Sequence, residues 1–230
     1  MAGFFSIDGK YYKLADRVGN LFWLNLLCLV CCIPVITVGP ALTACYAVTL
    51  QIVRDEEGNV TRTFFRSFRR NFRQGVAIWL LFLLTFVILF AGTRLLLVTD
   101  ETGSVLIPMA GGFRIVNGVL FLITAVMISY AFPLLARFEN TVSGTLRNAL
   151  IIGLHHLHGT LLLVLVNAAF PALLALALLK EEAVWLLSVF LCFGISAPAY
   201  ACSLVLYPVF QRYMPRVRTP EARHEEDSAE

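Results

Sequence analysis

The stretch from Arg54 to Arg73 constrains the fold most, because it places six arginines between two apolar segments. Its phenylalanines recur at positions i, i+1, i+4 and i+8, which predicts a helix with one narrow aromatic stripe. The stripe contains Phe64, Phe65, Phe68 and Phe72, and the predicted opposite side contains Arg62, Arg66, Arg69, Arg70 and Arg73. We expect this helix to lie at the membrane surface, with its rings in the acyl boundary and its guanidinium groups toward anionic lipid headgroups or a partner protein.

The low content of charged residues identifies the class of protein. Only 14% of the 230 residues are charged and 59% are hydrophobic, whereas a soluble domain carries about a quarter charged residues. The sequence therefore predicts an all-α fold, a polytopic membrane helical bundle of about six spans with two cytoplasmic membrane-surface helices. We expect residues 1–211 to form a single integral-membrane domain and residues 212–230 to form a polar, disordered cytoplasmic tail.

The first two apolar segments are short and are separated by a break that contains proline and glycine. The first runs from about Val18 to Ile33 and the second from Ala41 to Val53, on either side of PVITVGP. At 1.5 Å per residue the second is only ~20 Å long, short of a ~30 Å hydrocarbon core. It either spans with the help of residues 34–39 or forms a re-entrant hairpin with the first. Because broken helices need partners for their backbone, we expect the pair to pack inside the bundle.

The remaining apolar segments predict four longer spans and a second surface helix. The spans are predicted at residues 75–98, 113–136, 159–179 and 183–207, with connections at 99–112 and 180–182 and an intracellular segment at 137–158. The apolar stripe of that segment contains Val142, Leu146, Ala149, Leu150, Leu154 and Leu157. The order Tyr46, Arg54, Thr63, Gly75 finds a loose echo in Tyr130, Arg137, Thr145, Gly159, for which duplication and coincidence remain equal alternatives.

The distribution of basic residues predicts the orientation. With a cytoplasmic N-terminus and six crossings, fifteen of the eighteen basic residues face the cytoplasm, and only Arg94, Arg114 and Lys180 lie outside. This asymmetry follows the positive-inside rule, and a re-entrant hairpin leaves the count unchanged. We therefore expect a multi-pass protein of the cell membrane with both termini cytoplasmic.

The residue types that form metal or redox sites lack the necessary partners. All six cysteines fall in apolar segments, and the CLVCC motif at residues 28–32 has no histidine or carboxylate nearby. We interpret these thiols as small apolar side chains. The HHLH motif at residues 155–158 lacks a carboxylate or cysteine that would complete a tetrahedral site, which favours an interfacial role. We expect no metal and no cofactor.

Motifs of enzymes and pumps are missing from the sequence. It contains no Walker loop, nucleophile elbow or HExxH motif, which indicates a non-catalytic protein. The central parts of the predicted spans contain no Asp, Glu or Lys. Ion-coupled transporters usually place such residues at mid-membrane. For Asn20 and Asn25 we favour interhelical hydrogen bonds over a ligand site.

Three stretches resemble the YesL family of bacterial integral membrane proteins. They read GFFSIDGKYYKLADRVGNLFWLNLL, PVITVGPALTACYAV and RDEEGNVTRTFFRSFRRNFRQG. The resemblance covers the chain from Gly3 to about Arg212. It is densest at Asn25, Pro34, Thr37, Gly39, Ala44, Tyr46, Arg54, Asp55, Phe65, Phe68, Asn71 and Phe72, which are family-signature or docking candidates.

This resemblance implies a protein of undefined function whose gene often lies beside carbohydrate ABC importers and polysaccharide-degrading enzymes. It supplies no catalytic or binding residues. We expect an accessory or assembly factor for a carbohydrate ABC importer, with the surface helices as docking elements for permease subunits. The alternative is a permease for a sugar or other small solute, with the Pro34–Pro40 break lining its path. Nucleic acid is not an expected partner.

Overall fold

The protein is described by a computed structural model, which covers residues 10–56, 58–101, 107–138, 141–179 and 185–213. Within these residues every regular element is helical. The elements are α1 (Lys10–Cys32), a 3-10 turn (Val35–Thr37), α2 (Val38–Val53), α3 (Val60–Arg70), α4 (Phe72–Glu101), α5 (Ile107–Arg137), α6 (Val142–His155), α7 (Leu157–Leu179), α8 (Trp185–Phe193) and α9 (Ser196–Tyr213). Five helices are long and apolar enough to cross a membrane, and the bent pair α8–α9 makes a sixth. The prediction of an all-α membrane bundle is confirmed.

Several predicted boundaries shift because the helices continue beyond their apolar stretches. Helix α1 includes the polar residues from Lys10 to Arg17, and α4 and α5 leave only residues 102–106 of the predicted connection at 99–112. Arg94 lies where the apolar part of α4 ends. Its guanidinium carbon lies 5.0 Å from the centroid of the Phe90 ring. Helix α9 ends at Tyr213, two residues inside the predicted tail. The rest of that tail and the 180–182 connection lie outside the described residues.

The last predicted span is broken, which was not expected from the sequence. Helices α8 and α9 meet at an angle of 53°, and the break falls at Gly194 and Ile195. Pro198 stands in the first turn of α9, where a missing backbone N–H costs nothing. The combination of Gly194 and Pro198 is the sequence signal for this break.

The break between α1 and α2 is closed by Thr37. Its hydroxyl lies 2.6 Å from the carbonyl oxygen of Cys31, which the end of α1 leaves without a helical partner, and 2.7 Å from the carbonyl oxygen of Pro34 in the turn. The tip of the turn is apolar and open. Ile33 is 78% exposed, and Val35 and Ile36 are more than half exposed.

Helix α2 is the central helix of the bundle. Over half of the segment Val35–Val53 is buried, compared with 22% of the α1 segment, so packing inside the bundle is confirmed for α2 and wrong for most of α1. Polar side chains accompany its burial: the Thr49 hydroxyl lies 2.8 Å from the Ser203 hydroxyl on α9. Such a bond gives both groups a partner away from water.

Both ends of α2 contact the same end of the antiparallel α4–α5 pair. Gly39 at its start packs on Gly75, near the start of α4, whereas Arg54 just after its end shares a cleft with Arg137, the last residue of α5. The α4–α5 pairing is fixed by the Asn117 amide, which donates to the Leu89 carbonyl at 3.2 Å. Helix α2 therefore crosses this end of the bundle obliquely. The arrangement favours the re-entrant hairpin over a full second span.

The two halves of the chain share an order of elements. In each, a short helix follows a buried one and is separated from the next long helix by one residue, Asn71 in the first half and His156 in the second. The short helices begin alike: the Asn59 side chain accepts from the Arg62 amide at 3.1 Å, and Thr141 accepts from Gly144 at 3.2 Å. This common order supports the internal repeat.

The predicted apolar stripe of the second surface helix is partly wrong. The buried residues of α6 are Thr145, Ala149, Ile152 and Gly153, whereas Leu154 and Leu157 are more than 60% exposed. Thr145 is tolerated inside because its hydroxyl donates to the Thr141 carbonyl at 3.0 Å. Gly153 is needed because a Cβ there would lie 2.6 Å from the Val126 side chain.

Candidate functional site

The end of the bundle where α2 and α5 terminate, with α3 packed beside them, gathers most of the residues named from the sequence. We call it the arginine end. Helix α3 runs back along α2, since Gly58 lies against Gln51 and Gly75 lies against Gly39. Its start is anchored to α1 by the Trp23 indole, which donates to the Thr61 hydroxyl at 2.8 Å. The fully buried Phe64 fixes its rotation, so α3 is a firmly held part of the fold.

The four aromatic residues of this stretch form one continuous stripe, because ring centroids lie 5.4 Å apart for Phe64–Phe65, 6.1 Å for Phe64–Phe68 and 5.6 Å for Phe68–Phe72. Phe64 is buried and Phe68 is half-buried, but Phe65 is 42% exposed. Phe72 lies in α4, beyond the Asn71 break, and is 39% exposed. Ser67 is buried on the side of Phe64, and its hydroxyl accepts from the Asn71 amide at 3.2 Å. The predicted stripe is therefore confirmed by the ring contacts, but its four members are not equally buried.

The arginines of α3 are all exposed, as predicted, but they have different neighbours. Arg62 and Arg69 are exposed and lie near Phe65 in helical register. Arg66 and Arg70, one turn apart, line a cleft between α2, α3 and α5. Arg73 belongs to the first turn of α4 and is exposed. The predicted arginine side is thus exposed throughout, and two of its members also line a cleft.

The cleft has a volume of about 190 Å³. Besides Arg66 and Arg70, its walls include Arg54 and Arg137. Glu56 is the carboxylate among the described residues that line it. The Glu56 carboxylate pairs with the Arg54 guanidinium at 2.8 Å, and the same guanidinium donates to the Leu50 carbonyl at 3.1 Å. Among its described lining residues the cleft thus has four arginines and one carboxylate.

Asp55 closes the end of α2 in a conformation that few side chains adopt. Its φ is +53°, in the left-handed region that Asp and Asn tolerate better than most residues. Its carboxylate forms an ion pair with Arg17 of α1. This pair ties the start of α1 to the end of α2.

Gly39 and Gly75 allow α2 and α4 to cross in backbone contact. A Cβ on Gly39 would overlap the carbonyl oxygen of Gly75, and one on Gly75 would lie 2.9 Å from the Pro40 nitrogen. The close crossing places the beginning of α4 directly behind α3. Gly39 is therefore a residue of helix packing.

Asn25 supports the α8–α9 break on the other side of α2. Its amide donates to the Leu191 carbonyl at 2.8 Å, and its carbonyl oxygen accepts from the amides of Ile195 and Ser196 at 2.8 and 3.1 Å. These are backbone groups that a continuous helix would pair internally. The prediction that Asn25 forms interhelical hydrogen bonds is confirmed, whereas Asn20 binds Asp16 within α1.

Other residues named from the sequence lie apart from the cleft. Tyr46 is buried beside Cys202 and Asn167, Ala44 is fully buried, and Pro34 belongs to the turn after α1. The Cys28 thiol lies 3.4 Å from the Ala41 carbonyl. Among the described residues, no group of three His, Cys, Asp or Glu side chains could hold a metal ion.

The convergence of Arg137 with Arg54, Arg66 and Arg70 was not predicted from the sequence. Arg137 is separated from Arg54 by 83 positions, so no local spacing connects them. The internal repeat carried the one usable signal, because it aligned Arg54 with Arg137. Glu56 was also missed as a partner of Arg54.

Comparison with known families gives one match. The family described as "Protein of unknown function, DUF624" matches residues 21–93, about a third of the chain. The match spans α1 from Leu21 to most of α4 and so includes α3, the Gly39–Gly75 crossing and three of the four cleft arginines. Neither the curated proteins nor the solved structures yield a match. Over residues 21–93, the chain is thus similar to a family of proteins without an assigned activity.

Proposed function

We propose that this chain is a YesL-family protein of the bacterial cell membrane that assists a carbohydrate ABC importer without catalysing a reaction. The match to residues 21–93 supports the family, because YesL-like proteins carry DUF624. The link to carbohydrate import comes from the resemblance to that family. In this proposal both termini and the arginine end face the cytoplasm, following the excess of basic residues there.

The outward face of α3 is the observation that carries the proposal. Phe65 is 42% exposed between the exposed Arg62 and Arg69, on a helix whose other side is fixed by the buried Phe64. Aromatic and arginine side chains are enriched in the residues that dominate protein interfaces. Because the helix is already anchored, docking would order few additional groups. We assign this face to a permease subunit of the importer.

The packing of α2 supports an accessory role over transport. Its side chains fill the centre of the bundle, where Ala44, Cys45 and Val48 are at most 1% exposed. A permease needs a substrate site near the bilayer midplane between moving parts. The cleft at the arginine end lies beside the terminus of α2, and a second cavity of about 290 Å³ is lined only by α4 and α5 among the described residues.

One observation favours the alternative of a permease. Broken helices line the substrate sites of many transporters, and this chain has breaks after α1 and between α8 and α9. At the second break the Ser196 hydroxyl is buried and has no hydrogen-bond partner among the described residues. A small hydroxylated solute would suit such a group.

The test combines charge reversal with a matched control. The variant Arg62→Glu/Phe65→Ala/Arg69→Glu changes the outward face of α3, and Arg147→Glu reverses an exposed arginine of α6. We expect the first variant to impair growth on the imported carbohydrate while its amount in the membrane stays unchanged. The control should grow like wild type. A photo-crosslinker at Phe65 should join the chain to a permease subunit.

Two results would contradict the proposal. Normal growth of the α3 variant, together with the absence of crosslinks at Phe65, would show that this face is not a docking surface. Uptake of a sugar by the purified protein alone in liposomes would show that the protein is a permease and not an accessory factor. In that case Ser196→Ala should lower uptake, and the α3 variant should not.

A further inference from the structure

We propose that the cleft between α2, α3 and α5 is a binding site for a phosphate group, held by Arg54, Arg66, Arg70 and Arg137. This site is distinct from the outward face of α3 and does not depend on the proposed function. Its ligand is either the phosphate of an anionic lipid headgroup or a free phosphate compound, which the same chemistry would recognise.

The first support is that four arginines from three parts of the fold line one cleft. Arg66 and Arg70 come from successive turns of α3, Arg54 follows the end of α2 and Arg137 ends α5. Arg137 lies within electrostatic range of both Arg54 and Glu56. Guanidinium groups from different helices that line one cleft can together bind the oxygens of a single phosphate group.

The second support is the chemistry of the walls. The cationic residues among the described lining residues are all arginines, whose planar fork matches phosphate oxygens in bidentate pairs. The carboxylate among the described lining residues, Glu56, already pairs with Arg54 at 2.8 Å. Thr63 and Gln51 add neutral hydrogen-bonding groups. This set suits a tetrahedral oxyanion better than a single carboxylate.

The third support is size and access. The cleft measures about 190 Å³, several times the ~30 Å³ that one water molecule takes up in the liquid. It therefore admits a phosphate group with room for the first attached atoms. Arg66 and Arg70 are exposed, so one side of the cleft is open. The remainder of the ligand would extend through that side.

A matched pair of double variants separates the cleft from general positive charge. Arg66→Gln/Arg70→Gln removes two charges that line the cleft, and Arg62→Gln/Arg69→Gln removes two from the outward face of the same helix. Both pairs are exposed, so neither should prevent folding. Arg66→Gln alone serves if the first double variant is not recovered. Glu56→Gln removes the carboxylate and should strengthen anion binding.

The measurements distinguish the two sources of phosphate. Native mass spectrometry of the full-length protein in neutral detergent, with phosphatidylglycerol or phosphatidylcholine added, reports lipid binding. Thermal stability in inorganic phosphate, against chloride at equal ionic strength, reports binding of the free anion. In at least one assay we expect binding by wild type and the Arg62/Arg69 variant. In that assay the Arg66/Arg70 variant should bind at least about tenfold more weakly, because each charged hydrogen bond is strong.

Each outcome decides between named alternatives. If the wild type retains phosphatidylglycerol selectively and the Arg66→Gln/Arg70→Gln variant does not, the site binds a lipid headgroup. If inorganic phosphate stabilises the wild type and not this variant, the site binds a soluble ligand. The proposal fails if neither probe binds, or if both double variants lose binding equally, since charge alone would then account for it.

Discussion

The Asn25 side chain on α1 accepts a hydrogen bond of 2.8 Å from the backbone amide of Ile195, which lies 170 residues later at the α8–α9 break. The same oxygen also accepts from Ser196. A membrane helix can be interrupted only where its freed backbone groups find other partners. Asn25 supplies those partners, so the bend of the last span depends on a side chain from the first.

Replacing Asn25 with alanine should destabilise the protein by about 2 kcal/mol, because three interhelical hydrogen bonds of up to ~1.7 kcal/mol each are lost. Thermal denaturation in detergent measures this change. Asn20→Ala is the matched control, since Asn20 binds only within α1 among the described contacts, and its effect should stay within about 0.5 kcal/mol. Equal effects of the two variants would contradict the role of Asn25.

Replacing Gly39 with alanine should destabilise the protein by about 1–3 kcal/mol, because the added methyl group would overlap backbone that cannot rotate away. Gly75→Ala should act similarly, through Pro40. Gly118→Ala is the control: no atom lies within 4 Å of its added Cβ, and alanine is the better helix former. Folded yield and thermal stability distinguish them. A tolerated Gly39→Ala would show that α2 and α4 are not held in contact.

Three substitutions at Asp55 separate backbone strain from the ion pair with Arg17. Alanine at φ +53° costs about 1–2 kcal/mol, whereas glycine avoids this cost and loses only an exposed ion pair of about 0.2–1 kcal/mol. We expect stability to fall in the order Asp55→Asn, Asp55→Gly, Asp55→Ala, from least to most affected, as measured by thermal denaturation in detergent. If Asp55→Gly lowered stability as much as Asp55→Ala, the left-handed backbone would not explain the preference for aspartate at this position.

The position of Val35 tests whether the first two segments span. In a variant without native cysteines, Val35→Cys should resist an impermeant thiol reagent added from outside, because the re-entrant hairpin keeps its tip within the membrane. A cysteine at Glu181 should react from outside, and one at Asn59 should not. Outside labelling at Val35, which is 59% exposed, would establish two full spans. Outside labelling at Asn59 would overturn the orientation itself.

The sequence predicts the fold class well because apolar length and charge distribution act locally. The helix around Phe64 was predicted for the same reason, since its period is visible within a few turns. Its aromatic stripe and its arginine side were predicted as well, but which of its positions are buried was not. Ser67 rather than Phe65 enters the buried face, and this depends on a hydrogen bond with Asn71 that periodicity cannot reveal.

The candidate cleft was only half predictable. Arg66 and Arg70 were named, yet which arginines converge depends on where α2 and α5 end relative to α3. That placement results from tertiary contacts such as the Gly39–Gly75 crossing. Arg137 enters the site through a fold in which residues 83 positions apart become neighbours. No pattern within α5 marks it.

The bond between Asn25 and the α8–α9 break has a consequence for the order of assembly. During synthesis, α1 emerges first and residues 191–196 emerge about 170 positions later. At ~5–20 residues per second, this interval is on the order of ten to thirty seconds. Throughout it the Asn25 amide must stay in the membrane with other partners, such as water, lipid or an insertion factor. Helix α1 is thus made well before the residues that complete its contacts at Asn25.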